Sequence, residues 1–182
     1  PNHLTEQWGK EFLRLYPNAK ILVCTKKDFE KINRKRLIAR IATNDWDAVI
    51  ISHSQFGKIP VSKAIMEQYV NEEISHVEAA IKQIGKTFRY NRRVKNLERR
   101  RKKLEAQLQD IYCAEKKDDL VFFEELGVDQ LFVDEADEFK NLGADTKLDR
   151  IAGISQDTSQ KALDMFLKTR YINSLRGNKG IV

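Results

Sequence analysis

The chain has 182 residues, a formal net charge of +6, 41% hydrophobic residues, eight glycines and three prolines, which fits one well-cored folded domain better than two. No run approaches the about 18 uninterrupted apolar residues of a membrane span, and Glu6, Lys10, Glu11 and Arg14 break the first apolar stretch, which excludes a secretory signal. Cys24 and Cys113 are far apart and lack CxxC spacing, so they read as ordinary thiols of a reduced, cytoplasmic protein.

Leu4, Trp8, Phe12 and Leu15 recur at steps of four and three, predicting a helix capped by Thr5 or Asn2 and stopped by Pro17-Asn18. Ile21 to Cys24 reads as a short buried strand. A second helix is predicted from about Phe29 to Ile41, with Phe29, Ile32, Leu37, Ile38 and Ile41 as its apolar stripe. Asn44-Asp45 then turns the chain into Ala48-Val49-Ile50-Ile51, a second continuous apolar strand. Strand, helix, strand with uninterrupted apolar strands is the pattern of a parallel sheet covered on both faces.

From Ser62 to about Lys117 the period is helical throughout. Val77, Ile81, Ile84 and Phe88 form one heptad seam; Val94, Leu97, Arg101, Leu104, Leu108 and Ile111 form a second. Gly85 or Tyr90-Asn91 marks the turn of an antiparallel helical hairpin. Ten basic residues and one acid lie between Lys86 and Lys103, so that segment carries +9 and the rest of the chain −3. Such a local block suits a polyanion: Arg89, Arg92, Arg93, Arg99, Arg100 and Lys103 are the candidate phosphate contacts. A solvated coiled-coil face is the plainer reading of the same run.

The alternation then resumes. Leu120 to Leu126 reads as a short helix, Gly127-Val128-Asp129 as a turn, and Leu131-Phe132-Val133 as a buried strand ending in Asp134-Glu135. A polar loop runs from Lys140 to about Gln156, a last helix from about Ser159 to Leu175 is closed by Gly177, and Gly180-Ile181-Val182 opens a further strand. The expected organisation is therefore an α/β part, residues 1–61 and 119–182, interrupted by a basic helical hairpin or coiled-coil insertion at 62–118.

Two carboxylates directly after a parallel strand stand at the sheet edge where ligands bind in open α/β folds. Asp134 there suits Mg²⁺, which keeps most of its water and takes few protein oxygens. Glu135 is placed to orient and deprotonate a water attacking a γ-phosphate. An acidic strand-to-loop turn without chemistry is the alternative.

Val133-Asp134-Glu135-Ala136-Asp137-Glu138-Phe139-Lys140-Asn141 resembles motif II, the DEAD/DEAH box, of superfamily II helicases and translocases. Lys140-Asn141-Leu142 is similar to the Snf-type branch, although Asp137 stands where that branch has histidine. Pro1 to Trp8 with Glu11 looks like motif Ia, and Asp47 to Phe56 like motif Ib. Ser52 to Phe56, Lys140 to Leu142 and Phe166 to Ile172 look closest to helicase–methyltransferase fusions of phages and mobile elements.

The resemblance implies an incomplete RecA-like (P-loop NTPase) lobe, with Asp134 and Glu135 at Mg²⁺ and ATP. Asp137 and Lys140 would couple that site to neighbouring motifs, while Asn2, His3, Ser52 and His53 face DNA, expected to be double-stranded. A second RecA-like lobe and a methyltransferase domain are the implied partners in the same polypeptide. The phosphate loop G-x-x-x-x-G-K-[ST] is missing: Gly85-Lys86-Thr87 has Ala80 five residues earlier and heptad helix on either side. The expectation is a fragment that neither binds ATP tightly nor hydrolyses it alone. Two competitors remain, a non-enzymatic basic coiled-coil module for DNA binding or scaffolding and a piece of a methyltransferase; the second lacks both a glycine-rich cofactor loop and an N-P-P-Y-type motif.

Overall fold

The computed structural model describes residues 4–84, 92–113, 121–140, 142 and 159–182. The chain divides into two compact units, Pro1–Val61 with Asp119–Val182, and Ser62–Asp118. Asn2, His3, Arg89, the Gly85-Lys86-Thr87 stretch, the hairpin turn and most of the loop after Lys140 lie outside the described residues.

In the first unit, helix α1 (Leu4–Leu15) leads into strand β1 (Ile21–Val23). A 3-10 turn at Lys27–Phe29 and helix α2 (Lys31–Thr43) then return the chain to strand β2 (Ala48–Ile50). The strands pair in parallel, Ile21 with Ala48, Leu22 with Val49 and Val23 with Ile50. A parallel pair needs such a crossover, because a tight turn can only join antiparallel strands.

Periodicity located the helices better than it located their buried faces. In α1, Trp8 and Leu15 are 54% and 73% exposed. The buried position is Gly9, where a Cβ would lie 2.6 Å from Cγ2 of Val23; α1 therefore meets the sheet through the one residue with no side chain. In α2, Phe29, Leu37, Ile38 and Ile41 are buried as the stripe predicted, whereas Ile32 is 90% exposed. Phe29 belongs to the preceding 3-10 turn, so the true apolar face starts one turn later than the sequence pattern suggests. The sheet is also less enclosed than expected, since all three residues of β2 are only half-buried.

The core of this unit joins Leu22, Cys24, Phe29, Leu37, Ile38 and Ile41 to Phe56, Ile59, Phe123, Leu126, Met165 and Ile172. Burial pushes the Cys24 thiol up to about 12, with Asp28 adding to the effect. Helix α3 (His53–Phe56) follows β2 directly.

The second unit is a pair of 22-residue helices, α4 (Lys63–Ile84) and α5 (Arg92–Cys113). Val70, Val77 and Leu104 are its buried centre, flanked by Tyr69, Ile74, Ile81, Leu97 and Leu108. The seven residues between the helices cannot span the ~33 Å of a 22-residue helix, so the two run antiparallel.

Helix α6 (Gln160–Arg176) closes the first unit. The Ser159 side chain accepts from the Ala162 N–H at 3.1 Å, one of the donors a helix start leaves unpaired. Gly177 ends the helix at φ 57°, a conformation glycine adopts at little cost.

Candidate functional site

The acidic pair is built by backbone pairing. Leu131 and Ile181 form a parallel bridge. The Leu131 N–H donates to Gly180 O at 2.8 Å, Val182 N–H to Leu131 O at 2.9 Å, and Val133 N–H to Val182 O at 2.9 Å. Gly180 lies against Ile172, and an added Cβ would collide with it. Alternation along this segment turns Leu131 and Val133 to the core and leaves Phe132 69% exposed. The expected buried strand is therefore reduced to an isolated parallel bridge outside the two-stranded sheet, with one face toward the core.

The turn after Val133 is strained. Glu135 sits at φ 53°, ψ 45°, a left-handed conformation that is rare outside glycine, asparagine and aspartate. Its N–H donates to Oδ1 of Asp134 at 3.0 Å. A 3-10 turn over Ala136–Phe139 follows, with Glu138 N–H donating to Glu135 O and Lys140 N–H to Asp137 O, both at 3.2 Å.

Asp134, Glu135, Asp137 and Lys140 are all exposed. The Asp134 carboxylate keeps its second oxygen free of the backbone contact. One open carboxylate oxygen fits an ion such as Mg²⁺, which takes one or two carboxylates and completes its shell with water and phosphate oxygens. Among the described residues no group of three or more His, Cys, Asp or Glu side chains is placed to enclose a metal. Neither Asp137 nor Lys140 has a side-chain partner among the described residues.

Glu138 is the residue the sequence reading passed over. Its Oε2 lies 3.5 Å from Nδ1 of His53 and accepts from Lys161 Nζ. The Lys161 contact, then the His53 contact, hold its carboxyl below the usual glutamate range. The His53 and Phe139 rings are 4.9 Å apart and tilted, and Lys161 Nζ lies 4.7 Å from the Phe139 ring centre. The stretch resembling motif Ib and the acidic turn thus meet through His53 and Glu138. Ser52 stands at the entry to α3, its N–H donating to Oε1 of Gln55 at 3.2 Å.

Two turns along α6 from Lys161, Lys168 is fully buried. Its Nζ donates to Phe56 O at 2.9 Å and to Oδ2 of Asp164 at 2.6 Å, over the Phe56 ring at 4.3 Å. Desolvation lowers the Lys168 ammonium and raises the Asp164 carboxyl, each opposed by the attraction between them. Helix α6 therefore grips α3 at both ends, through Glu138 to His53 and directly to Phe56. The i, i+4 spacing of Asp164 and Lys168 was visible in sequence; the burial and the carbonyl partner, 112 residues away, were not.

In the hairpin, Arg99 is exposed, but Arg100 is 31% exposed and bonded to Oε2 of Glu73 at 2.6 Å. The ion pair joins α5 to α4 and leaves about a third of the Arg100 side chain open. Arg101 lies between Glu78 at 3.8 Å and Glu105 at 3.3 Å. Arg92 and Arg93 open α5, and their side chains lie outside the described residues.

A family model described as a probable helicase domain matches residues 4–181. Comparison with curated proteins and with solved structures gives no match.

Proposed function

The chain belongs to the probable helicase domain family, and from that premise we propose that it is the incomplete first RecA-like lobe of an ATP-dependent DNA helicase or translocase. The observation that carries the reading is Glu135: a non-glycine residue held left-handed just after the bridged segment Leu131–Val133, beside an exposed aspartate. Strain of that kind costs about 1–3 kcal/mol and collects at functional sites. Both carboxylates are exposed, which leaves them open to a hydrated Mg²⁺ and a hydrolytic water.

Bound Mg²⁺ would supply charge neutralisation on the phosphates. The chain's own residues orient and deprotonate. Asp134 would hold the ion, Glu135 would accept a proton from the attacking water, and Asp137 and Lys140 would couple the site to the neighbouring motifs. Ser52 and His53 present the DNA-facing segment, tied to the acidic turn by Glu138. The resemblance to DEAD/DEAH and Snf-type boxes and to helicase–methyltransferase fusions supports the finer branch of this reading.

No G-x-x-x-x-G-K-[ST] loop occurs in residues 1–182, so residues elsewhere in the whole protein would hold the triphosphate. The test is DNA-stimulated ATP hydrolysis by that whole protein. Glu135→Gln should abolish turnover while ATP binding persists. Unchanged turnover in Glu135→Gln, or hydrolysis by residues 1–182 alone, would overturn the proposal.

A further inference from the structure

The cations of α5 are sorted by face. On the side packed against α4, Leu97, Leu104 and Leu108 join the hairpin core, and Arg100 and Arg101 are held by Glu73, Glu78 and Glu105. Lys95, Arg99, Lys102 and Lys103 are exposed. Steps of three and four put them on one face of the helix. Arg99, Lys102 and Lys103 form no ion pair among the described residues, and Glu98, the acid within the run, neutralises none of them.

Like charges at i, i+4 repel, each pair costing a few tenths of a kcal/mol. Acid–base pairing relieves that repulsion for Arg100 and Arg101 and, among the described residues, leaves it standing between Arg99 and Lys103. From Lys95 to Lys103 the row runs ~12 Å along the helix axis, against one phosphate charge per ~1.7 Å of duplex. We propose that this outer ridge docks the phosphate backbone of nucleic acid, with Arg99, Lys102 and Lys103 as the contacts and Arg100 and Arg101 withheld for the hairpin itself. The choice of nucleic acid among polyanions rests on the motor reading above. An anionic membrane fits less well, because a helix lying in a membrane surface needs an exposed apolar face, and Leu97, Leu104 and Leu108 of α5 are packed in the hairpin core. Point charges on flexible stems meet phosphates without reading bases, so the binding is independent of sequence.

The experiment is an anisotropy titration of a labelled random-sequence DNA duplex with the 182-residue chain, without nucleotide, over a range of salt. Arg99→Gln/Lys102→Gln/Lys103→Gln is compared with a charge-matched control, Lys26→Gln/Arg36→Gln/Lys179→Gln, whose three sites are also exposed. All six sites lie outside both cores, and far-UV dichroism verifies each fold. The ridge variant should flatten the slope of log K against log salt by about 2.7, from 0.9 per lost phosphate contact, and the control should not. Equal weakening by both variants, no binding by the parent chain, or binding to anionic vesicles in place of DNA would each overturn the proposal. No ATP is present, so failure here leaves the motor reading standing. Ridge-dependent binding without DNA-stimulated turnover in the whole protein sinks the motor reading alone.

Discussion

At Glu135 the backbone and the side chain make opposite demands. A left-handed residue costs about 1–2 kcal/mol relative to glycine, yet the carboxylate is what the proposed chemistry needs. Glu135→Gly should therefore raise the free energy of unfolding by about 1 kcal/mol, and Glu135→Gln, which keeps the strain, should not; urea midpoints of the two variants decide it. Glu138 offers a second readout. Its folded carboxyl is held low by Lys161 and then His53, so its contribution to stability is present above the unfolded glutamate value of about 4.3. That contribution is lost as pH falls through the lower native value. Carboxyl NMR should place its midpoint below 4.3 in the parent chain, and Lys161→Met should move it up towards that value. No movement would mean the Lys161 contact is not made in solution.

Among the elements, α6 does most of the joining. It carries Lys161 to Glu138 and Lys168 to the end of α3, its Tyr171 hydroxyl donates to Glu124 O at 3.2 Å, and Arg176 is bonded to the Asp129 carboxylate. Lys168 is the costly part, since removing one member of a buried pair leaves the other charge without compensation. Lys168→Met should destabilise by about 3 kcal/mol by chemical denaturation, and adding Asp164→Leu should restore part of it. Simple additivity of the two changes would show that they do not act as a pair.

For the molecule as a whole, the two cores share no residue among those described. Both tryptophans, Trp8 and Trp46, belong to the first unit, so indole fluorescence follows that unit while far-UV dichroism also follows α4 and α5. Val70 is fully buried between those helices. Val70→Ala should weaken the hairpin by roughly 2 kcal/mol, advancing part of the dichroism transition and leaving the fluorescence midpoint in place. Coincident shifts of both signals would mean that the chain unfolds as a single unit.

Local regularities were legible without any fold. Helical period placed α1, α2, α4, α5 and α6 to within a few residues, and Ser159 and Gly177 capped α6 as residues of their kind do, while the strand expected before Asp134 is only an isolated bridge at Leu131. These are properties of neighbours in the chain, set by steric and hydrogen-bonding rules over a few residues. The faces were decided elsewhere. Trp8 and Ile32 lie in apolar stripes yet remain exposed, because packing in three dimensions put Gly9 of α1 against the sheet and buried only the later part of the α2 stripe. The contacts of Glu138 with His53 and Lys161, and of Lys168 with the Phe56 carbonyl, join residues far apart in sequence and exist only in the fold. Arg99 and Arg100 are adjacent letters of one basic run; the helix turns one outward and hands the other to Glu73. A charge acquires a role from its distance to a partner and from the water removed around it, and both are fixed only when segments far apart in the chain come together.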